Sequence, residues 1–359
     1  MSLIDKGNRI LSNWYLHGGT FLHGVSSFAY DSACYVHKLS HKPAEERIEK
    51  LLDQNASVYK AQDREKIKKD IERCWMKYGY SAEDYFMYHI YEADEQKKEG
   101  FISAVDTLKI ASILNDREEA RILTHKYRTY ELFKEFYKRE VIRGEDLDEE
   151  FIRRHPRFIV KDDTGSRGVG IYAVDIKDFA SAEELIAKVR SSGNVVCEEM
   201  IKQDPRLAAF HPASVNTVKV RTLRTVNGKI VLWASNFRTG QKNSVIDNSF
   251  MGGPACLVDQ ETGIVLTDGC AETGVMLKKH PDSGLVFKGF QLPEWEQAKK
   301  LVLTLAEKTE KLSYVGWDIA LSKEGWIMVE GNSYAQMTGP QKASLKPMKK
   351  ELWDIVFER

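Results

Sequence analysis

The chain has 359 residues, enough for two or three domains at roughly 100–200 residues each. Its 53 basic and 53 acidic side chains cancel, which excludes a general electrostatic attraction to nucleic acid or anionic lipid but leaves room for a local basic cleft. No apolar run reaches the length of about 18 residues that a membrane span needs, the N-terminus lacks the apolar block of a secretory signal, and Cys34, Cys74, Cys197, Cys256 and Cys270 show no C-x-x-C spacing, so free thiols and a cytoplasmic location are expected.

Residues 1 to about 145 predict helices. Segments 42–55 and 62–78 mix Lys, Glu, Leu and Ile at helical spacing, and 123–139 does so again. In the last of these, Tyr130, Phe133, Phe136 and Tyr137 fall near one stripe, which suits core packing. The character changes near Phe151, where β-branched runs alternate with turn residues. One helix interrupts them at Ser181, where Ser181 and Glu184 have capping-box spacing and Gly193 stands as a C-terminal cap. A second is expected from about 294 to 311, with Trp295, Ala298, Leu301, Val302, Leu305 and Ala306 on one face. Two strands, Y-V-G-W-D-I-A-L and W-I-M-V-E-G-N, follow it.

Five stretches could carry chemistry. In R-F-I-V-K-D-D-T-G-S-R-G-V-G-I-Y-A-V (157–174) a strand ends on Lys161, and a loop holding Gly165, Gly168 and Gly170 leads into a second strand. Such glycines let backbone N–H groups face an anion, although an ordinary flexible hairpin gives the same pattern. The P-loop pattern is absent. The run V-V-C-E-E-M-I (195–201) could offer its backbone to a purine edge, or simply emerge into solvent. In N-T-V-K-V-R (216–221) alternation puts Thr217, Lys219 and Arg221 on one face. Two cations there repel unless they share an anion; a solvated face is the alternative. Asn248, with Gly252 and Gly253 after it, suits a loop around phosphate oxygens.

The fifth is the final strand pair. Glu330 and Asn332 project from one face. If residues 323–325 form a three-residue loop with Gly325 in the left-handed region, Asp318 lies opposite Glu330, whereas a two-residue loop would miss by one place. Three oxygen donors would then converge on a point that suits Mg²⁺. Without a cation, one of two carboxylates so close would stay protonated.

This order of motifs resembles the ATP-grasp superfamily, and most closely its sugar-transfer-associated branch. V-N-T-V-K-V-R-T-L, V-I-D-N-S-F-M-G-G, H-P-D-S-G and G-W-D-I-A-L carry the nearer likeness, over about residues 120–345. The resemblance implies an α+β fold in which two α/β subdomains grip ATP: a helical region 1–120, a subdomain 121–200 with the glycine-rich lid, and a subdomain 201–359 with a metal site. It implies that Lys126 and Lys161 contact ATP phosphates beneath the loop carrying Gly165, Gly168 and Gly170. Glu198, Glu199, Met200 and Ile201 would form the adenine hinge, with Glu199 or Asp204 on the ribose. Lys219 and Arg221 compete for the terminal phosphate, Asn248, Gly252 and Gly253 would cradle the reacting phosphoryl group, and Asp318, Glu330 and Asn332 would bind two Mg²⁺ ions. The implied activity is ATP- and Mg²⁺-dependent ligation of a small-molecule carboxylate to an amine or thiol through an acyl phosphate, on a sugar, amino acid or polysaccharide precursor. A kinase acting on a hydroxyl and a nucleotide-binding protein without turnover are the alternatives; no nucleic-acid partner is expected.

Overall fold

The computed structural model describes residues 2–165, 170–242, 244, 247, 253–271 and 274–359. The first third is helical, as its periodicity predicts: α1 (Leu3–His17), α2 (Thr20–Ser40), α3 (Glu45–Gln54), α4 (Arg64–Tyr78), α5 (Ala82–Met87), α6 (Glu95–Gly100), α7 (Ala104–Leu114) and α8 (Arg117–Thr124). Ser2 with Asp5, Ser81 with Asp84 and Ser103 with Asp106 close capping boxes that start α1, α5 and α7. Gly79, at φ 79°, stops α4. Ile48, Leu52, Ile71, Tyr80, Tyr85 and Phe101 form a separate apolar core within this region. Among the described residues no helix is long and apolar enough to cross a membrane, and all five cysteines are free thiols.

α9 (Lys126–Tyr137) leads into β1 (Val141–Arg143), α10 (Glu149–Arg154), β2 (Arg157–Asp162), β3 (Ile171–Asp175), α11 (Ala182–Arg190) and β4 (Val195–Glu199). The strands make an antiparallel sheet in the order β1-β4-β2-β3. Phe151 of α10 and Leu185 and Val189 of α11 join Phe158, Val160 and Cys197 in its core.

After the short α12 (Pro205–Ala208), a second antiparallel sheet is built from β5 (Thr217–Arg224), β6 (Ile230–Arg238), β7 (Ala255–Val258), β8 (Gly269–Cys270) and β9 (Met276–Leu277). It is completed, beyond α13 (Trp295–Glu307), by β10 (Tyr314–Ser322) and β11 (Gly325–Asn332). Its order is β11-β10-β5-β6-β7-β8-β9. The chain closes with α14 (Thr338–Ser344) and α15 (Lys349–Val356). α13 ends at Glu307, short of the expected 311, because Thr309 turns its hydroxyl back onto the Ala306 carbonyl at 3.1 Å. The aromatic stripe of α9, expected with the first subdomain, packs on the second sheet, with Phe133 edge-on to Trp317 at 5.6 Å between ring centres.

Asn115 fixes the helical region to the second sheet. Its buried amide donates to Tyr314 O and Ser333 O, both at 2.7 Å, and accepts the Tyr314 N–H at 2.9 Å. Every hydrogen-bonding position on that amide except one lone pair is used, which is how a buried amide is tolerated.

The turn between β10 and β11 corrects the expected loop. Ser322 pairs with Gly325, so Lys323 and Glu324 alone form the connection, with Gly325 at φ +93°. Asp318 nevertheless faces Glu330, because Ile319 pairs with Met328 and Val329 is left over as a β-bulge. The bulge supplies the one-residue offset that the longer loop was expected to supply.

Candidate functional site

The site is assembled where the two sheets meet. On the first-sheet side, Lys126 opens α9, and Asp163 pins that helix end. The Asp163 carbonyl accepts the Lys126 N–H, and its carboxylate accepts the Tyr127 N–H, both at 2.9 Å, and lies 3.0 Å from His125 Nδ1. The Lys126 ammonium then donates to Gly165 O at 2.6 Å, at the mouth of the glycine-rich loop. Gly170 closes the hairpin at φ +74°. Gly168 lies outside the described residues.

Lys161, on β2, reaches Glu198 Oε2 at 2.8 Å, and Arg139 Nη2 reaches the same oxygen at 2.9 Å. Burial opposes ionisation of Glu198, but Lys161 and Arg139 outweigh it and hold the carboxyl down at about 2. Arg139 also donates to Met328 O at 2.7 Å and Val329 O at 3.4 Å, the carbonyls at the β11 bulge. One buried guanidinium thus ties β4 of the first sheet to β11 of the second.

Glu198 was expected to present its backbone to a purine. It lies instead inside β4, paired with Val141 on one side and Ile159 on the other. Its side chain is what reaches the site, as the ion-pair partner of Lys161. The Glu199 N–H is committed to Glu140 O at 2.9 Å, while the Glu199 side chain remains half-buried at the strand end. Met200 and Ile201 follow outside the strand, half-buried. Asp204 caps α12 and pairs with Arg206 at 2.8 Å, so its carboxylate already has partners.

Glu198→Gln is expected to destabilise the fold by about 3–5 kcal/mol, the scale for stranding buried cations, in urea unfolding at neutral pH. Because the folded-state pKa is depressed from 4.5, this contribution is present above 4.5 and is lost as pH falls toward 2. Wild type should therefore lose stability over that acid window more steeply than the variant.

On the second-sheet side, Asp318 is buried and holds two cations: Lys219 Nζ lies 3.0 Å from Oδ2 and Arg238 Nη2 lies 2.9 Å from Oδ1. Asn332 Nδ2 donates to Oδ2 at 3.2 Å. Burial would raise the Asp318 pKa, yet Arg238 and Lys219 overcome it and the net shift is downward. Opposite it, Glu330 is half-buried and makes no hydrogen bond or ion pair to a described residue. Burial and the neighbouring Asp318 push its pKa up, against the pull of Lys126, Lys219 and Lys161. Two facing carboxylates have their pKa values driven apart, a pattern typical of functional sites.

Lys126, Lys161, Lys219, Asp318, Glu330 and Asn332 are therefore brought together. Arg221 is buried and close enough to act on the ionisation of Lys219 and Asp318, and three of its five N–H groups are taken: Nε and Nη2 donate to Gln336 O at 3.1 and 2.6 Å, and Nη1 to Asn236 Oδ1 at 2.7 Å. It braces the loop after β11. Gly253 packs on the backbone of Thr239 and Asp247; a Cβ there would lie 2.9 Å from Asp247 O. Asn248 and Gly252 lie outside the described residues.

Arg238 and Arg139 were not singled out from the sequence. Arg238 had a readable signal, since it ends the apolar run I-V-L-W-A-S-N-F-R as the two carboxylates punctuate theirs. It donates to Thr217 Oγ1 at 2.7 Å and lies 3.8 Å from Asp247.

Among the described residues no three His, Cys, Asp or Glu side chains cluster to hold a metal. The set at hand is two carboxylates and an amide. It fits a hard cation in two respects: among the described residues the Glu330 carboxylate has no hydrogen-bond or ion-pair partner, and the Asn332 amide oxygen accepts no hydrogen bond. A cation would share Asp318 with Lys219 and Arg238, which the four lone-pair positions of a carboxylate allow.

The chain belongs to the sugar-transfer associated ATP-grasp family, whose sequence model matches residues 101–355. No curated protein matches the sequence. Among solved structures, the chain is similar to the ADP complex of purK, an N5-carboxyaminoimidazole ribonucleotide synthetase (10% identity, TM-score 0.38, covering 61% of this chain and 47% of that one). It is also similar to N5-carboxyaminoimidazole synthetase from Staphylococcus aureus complexed with ADP (10%, 0.43, 70% and 57%) and to D-alanine–D-alanine ligase from Bacillus anthracis complexed with ATP (14%, 0.41, 68% and 68%). The chain spans about half the length of the first of these.

Proposed function

We propose that this chain is an ATP- and magnesium-dependent ligase that joins a small-molecule carboxylate to an amine or thiol through an acyl phosphate. The substrate would be a sugar, amino acid or polysaccharide precursor. The observation that carries this reading is the Glu330 carboxylate facing Asp318 with no hydrogen bond or ion pair to a described residue, and with Lys126, Lys161 and Lys219 close enough to act on its ionisation. Membership of the ATP-grasp family supports the choice of nucleotide.

A carboxylate is a poor electrophile. Accepting the γ-phosphoryl group of ATP gives it a leaving group, which the amine or thiol then displaces as phosphate. The protein's task is to position the groups and neutralise spreading charge. Lys126 and Lys161 serve the phosphates from the first sheet, and the ion pair with Glu198 holds Lys161 in place beforehand. Met200 and Ile201 offer backbone groups to the purine, and Glu199 its carboxylate to the ribose. Lys219 and Arg238 keep Asp318 ionised. Asp318, Glu330 and Asn332 would hold magnesium, which when bound supplies charge neutralisation on the phosphate oxygens.

Steady ADP release tests the proposal. A ligase needs ATP, magnesium, a carboxylate and an amine or thiol together. Release with a single alcohol would instead identify a kinase, and nucleotide binding with no release across the panel would leave a non-catalytic binder. Lys161→Ala is expected to lose about 2–4 kcal/mol of transition-state stabilisation, roughly 30- to 1,000-fold in kcat/KM for ATP. Near-normal turnover would remove Lys161 from its assigned role.

A further inference from the structure

The run H-P-D-S-G (280–284) takes no part in the proposed chemistry. The structure folds it against the chain just beyond β6. His280 is buried, and its Nδ1 accepts the N–H groups of Asp282 and Ser283 at 3.1 and 3.3 Å. That leaves the ring proton on Nε2, which donates to Gly240 O at 2.9 Å. One imidazole thus shapes the turn and holds the segment that follows Arg238. Asp282, presented by the turn, accepts the Lys242 N–H at 2.6 Å. His211, also buried, arrives from another segment. It donates from Nε2 to Lys242 O and takes the Ser214 hydroxyl on Nδ1, both at 2.8 Å. A Cβ at Gly240 would lie 2.4 Å from Ser214 Oγ and 2.7 Å from His211 Nδ1, so the backbone runs hard against this pair.

The segment so held is strained. Lys242 has φ +58°, a left-handed conformation that lysine rarely adopts. Such a residue persists where its surroundings over-determine it, and these places cluster at functional sites. Here Asp282 fixes its N–H and His211 its carbonyl. Before the segment stands Arg238, which meets Asp318 Oδ1 at 2.9 Å and Thr217 Oγ1 at 2.7 Å. After it stands Asp247, which accepts the Thr217 N–H at 2.9 Å and lies 3.8 Å from Arg238. His211, His280 and Asp282 themselves make no hydrogen bond or ion pair to Asp318, Lys219 or Glu330.

We propose that His211, His280 and Asp282 are positioning residues: they clamp segment 240–242 and so hold Arg238 and Asp247 in register with Asp318 for the terminal phosphoryl group of ATP. The proposal rests on the binding of ATP phosphates at Asp318 put forward under the proposed function.

Calorimetry with Mg–ADP and with Mg–AMP-PNP, a non-hydrolysable triphosphate, tests it with no acceptor substrate. Wild type is expected to bind AMP-PNP more tightly than ADP. Asp282→Ala, at an exposed position, should weaken AMP-PNP binding about tenfold or more and ADP binding by no more than about twofold, because only groups placed for the third phosphate shift. His211→Leu, which removes the donor to Lys242 O, should do the same. Asp282→Asn and His211→Gln can keep their hydrogen bonds to Lys242 and should bind both nucleotides as wild type does. Lys242→Gly adopts the left-handed turn without strain, so added to Asp282→Ala it should restore most of the AMP-PNP affinity. If Asp282→Ala and His211→Leu weaken both nucleotides equally or neither, if Lys242→Gly restores nothing, or if wild type does not prefer AMP-PNP, the clamp is overturned while ATP binding stands. A wild type that binds neither nucleotide overturns both.

Discussion

Glu330→Gln is expected to abolish magnesium-dependent turnover while leaving the fold as stable as wild type or more so. The side chain is nearly isosteric, and it replaces a carboxylate that makes no hydrogen bond or ion pair to a described residue. The sign follows from linkage. A carboxyl whose folded-state pKa is raised above 4.5 contributes stability below that pH and loses it as pH rises through the folded value. At neutral pH the ionised group therefore opposes folding, and a neutral amide relieves it. Catalysis goes the other way, because a glutamine cannot supply the anionic oxygen that a hard cation needs. Loss of charge stabilisation of several kcal/mol corresponds to at least about a 100-fold fall in ADP release. Guanidinium unfolding and a steady-state ADP assay on the same preparation measure both halves. Retained turnover would displace the cation from this position.

Asp318→Asn is expected to lose both. Among the described residues Lys219 makes its one ion pair to Asp318, and Arg238 shares the same carboxylate. Removing the anion strands buried positive charge, at about 3–5 kcal/mol. Arg238 keeps Thr217 and the more distant Asp247, so most of the loss should arise at Lys219. The pH dependence is opposite in sign to that of Glu330: a depressed pKa gives stability that is present above 3.8 and disappears as pH falls through the folded value. Two acidic residues that face each other across β10 and β11 should thus separate cleanly in unfolding experiments, while both variants fail in turnover. Equal stability effects in the two would contradict the division of labour described for them.

Much of this was legible in the sequence because the periodicities are local. The helical first third, the aromatic face of α9, the β-branched runs and the carboxylates that punctuate two apolar strands can all be read from neighbours in the chain. What could not be read depends on distant partners. The facing of Asp318 and Glu330 comes from a bulge at Val329, and its carbonyls are met by Arg139, far upstream in a charged run that nothing marks out. The role of Glu198 likewise depends on Lys161 and Arg139 converging from other elements, so strand position alone suggested a backbone role that the ladder excludes. Arg221 was paired with Lys219 by alternation along β5, yet tertiary packing directs it to Gln336 and Asn236. Asn115 carried no pattern at all, although its amide docks the helical region on β10.

The proposed chemistry requires a divalent cation at Asp318, Glu330 and Asn332 when nucleotide is bound. Crystals grown with a non-hydrolysable ATP analogue and manganese, measured at the manganese absorption edge, give that position directly. An anomalous peak within ligand distance of Asp318, Glu330 or Asn332 and of the analogue's phosphate oxygens is the predicted result. Nucleotide bound with the peak elsewhere, or with these three side chains turned away from it, would contradict it.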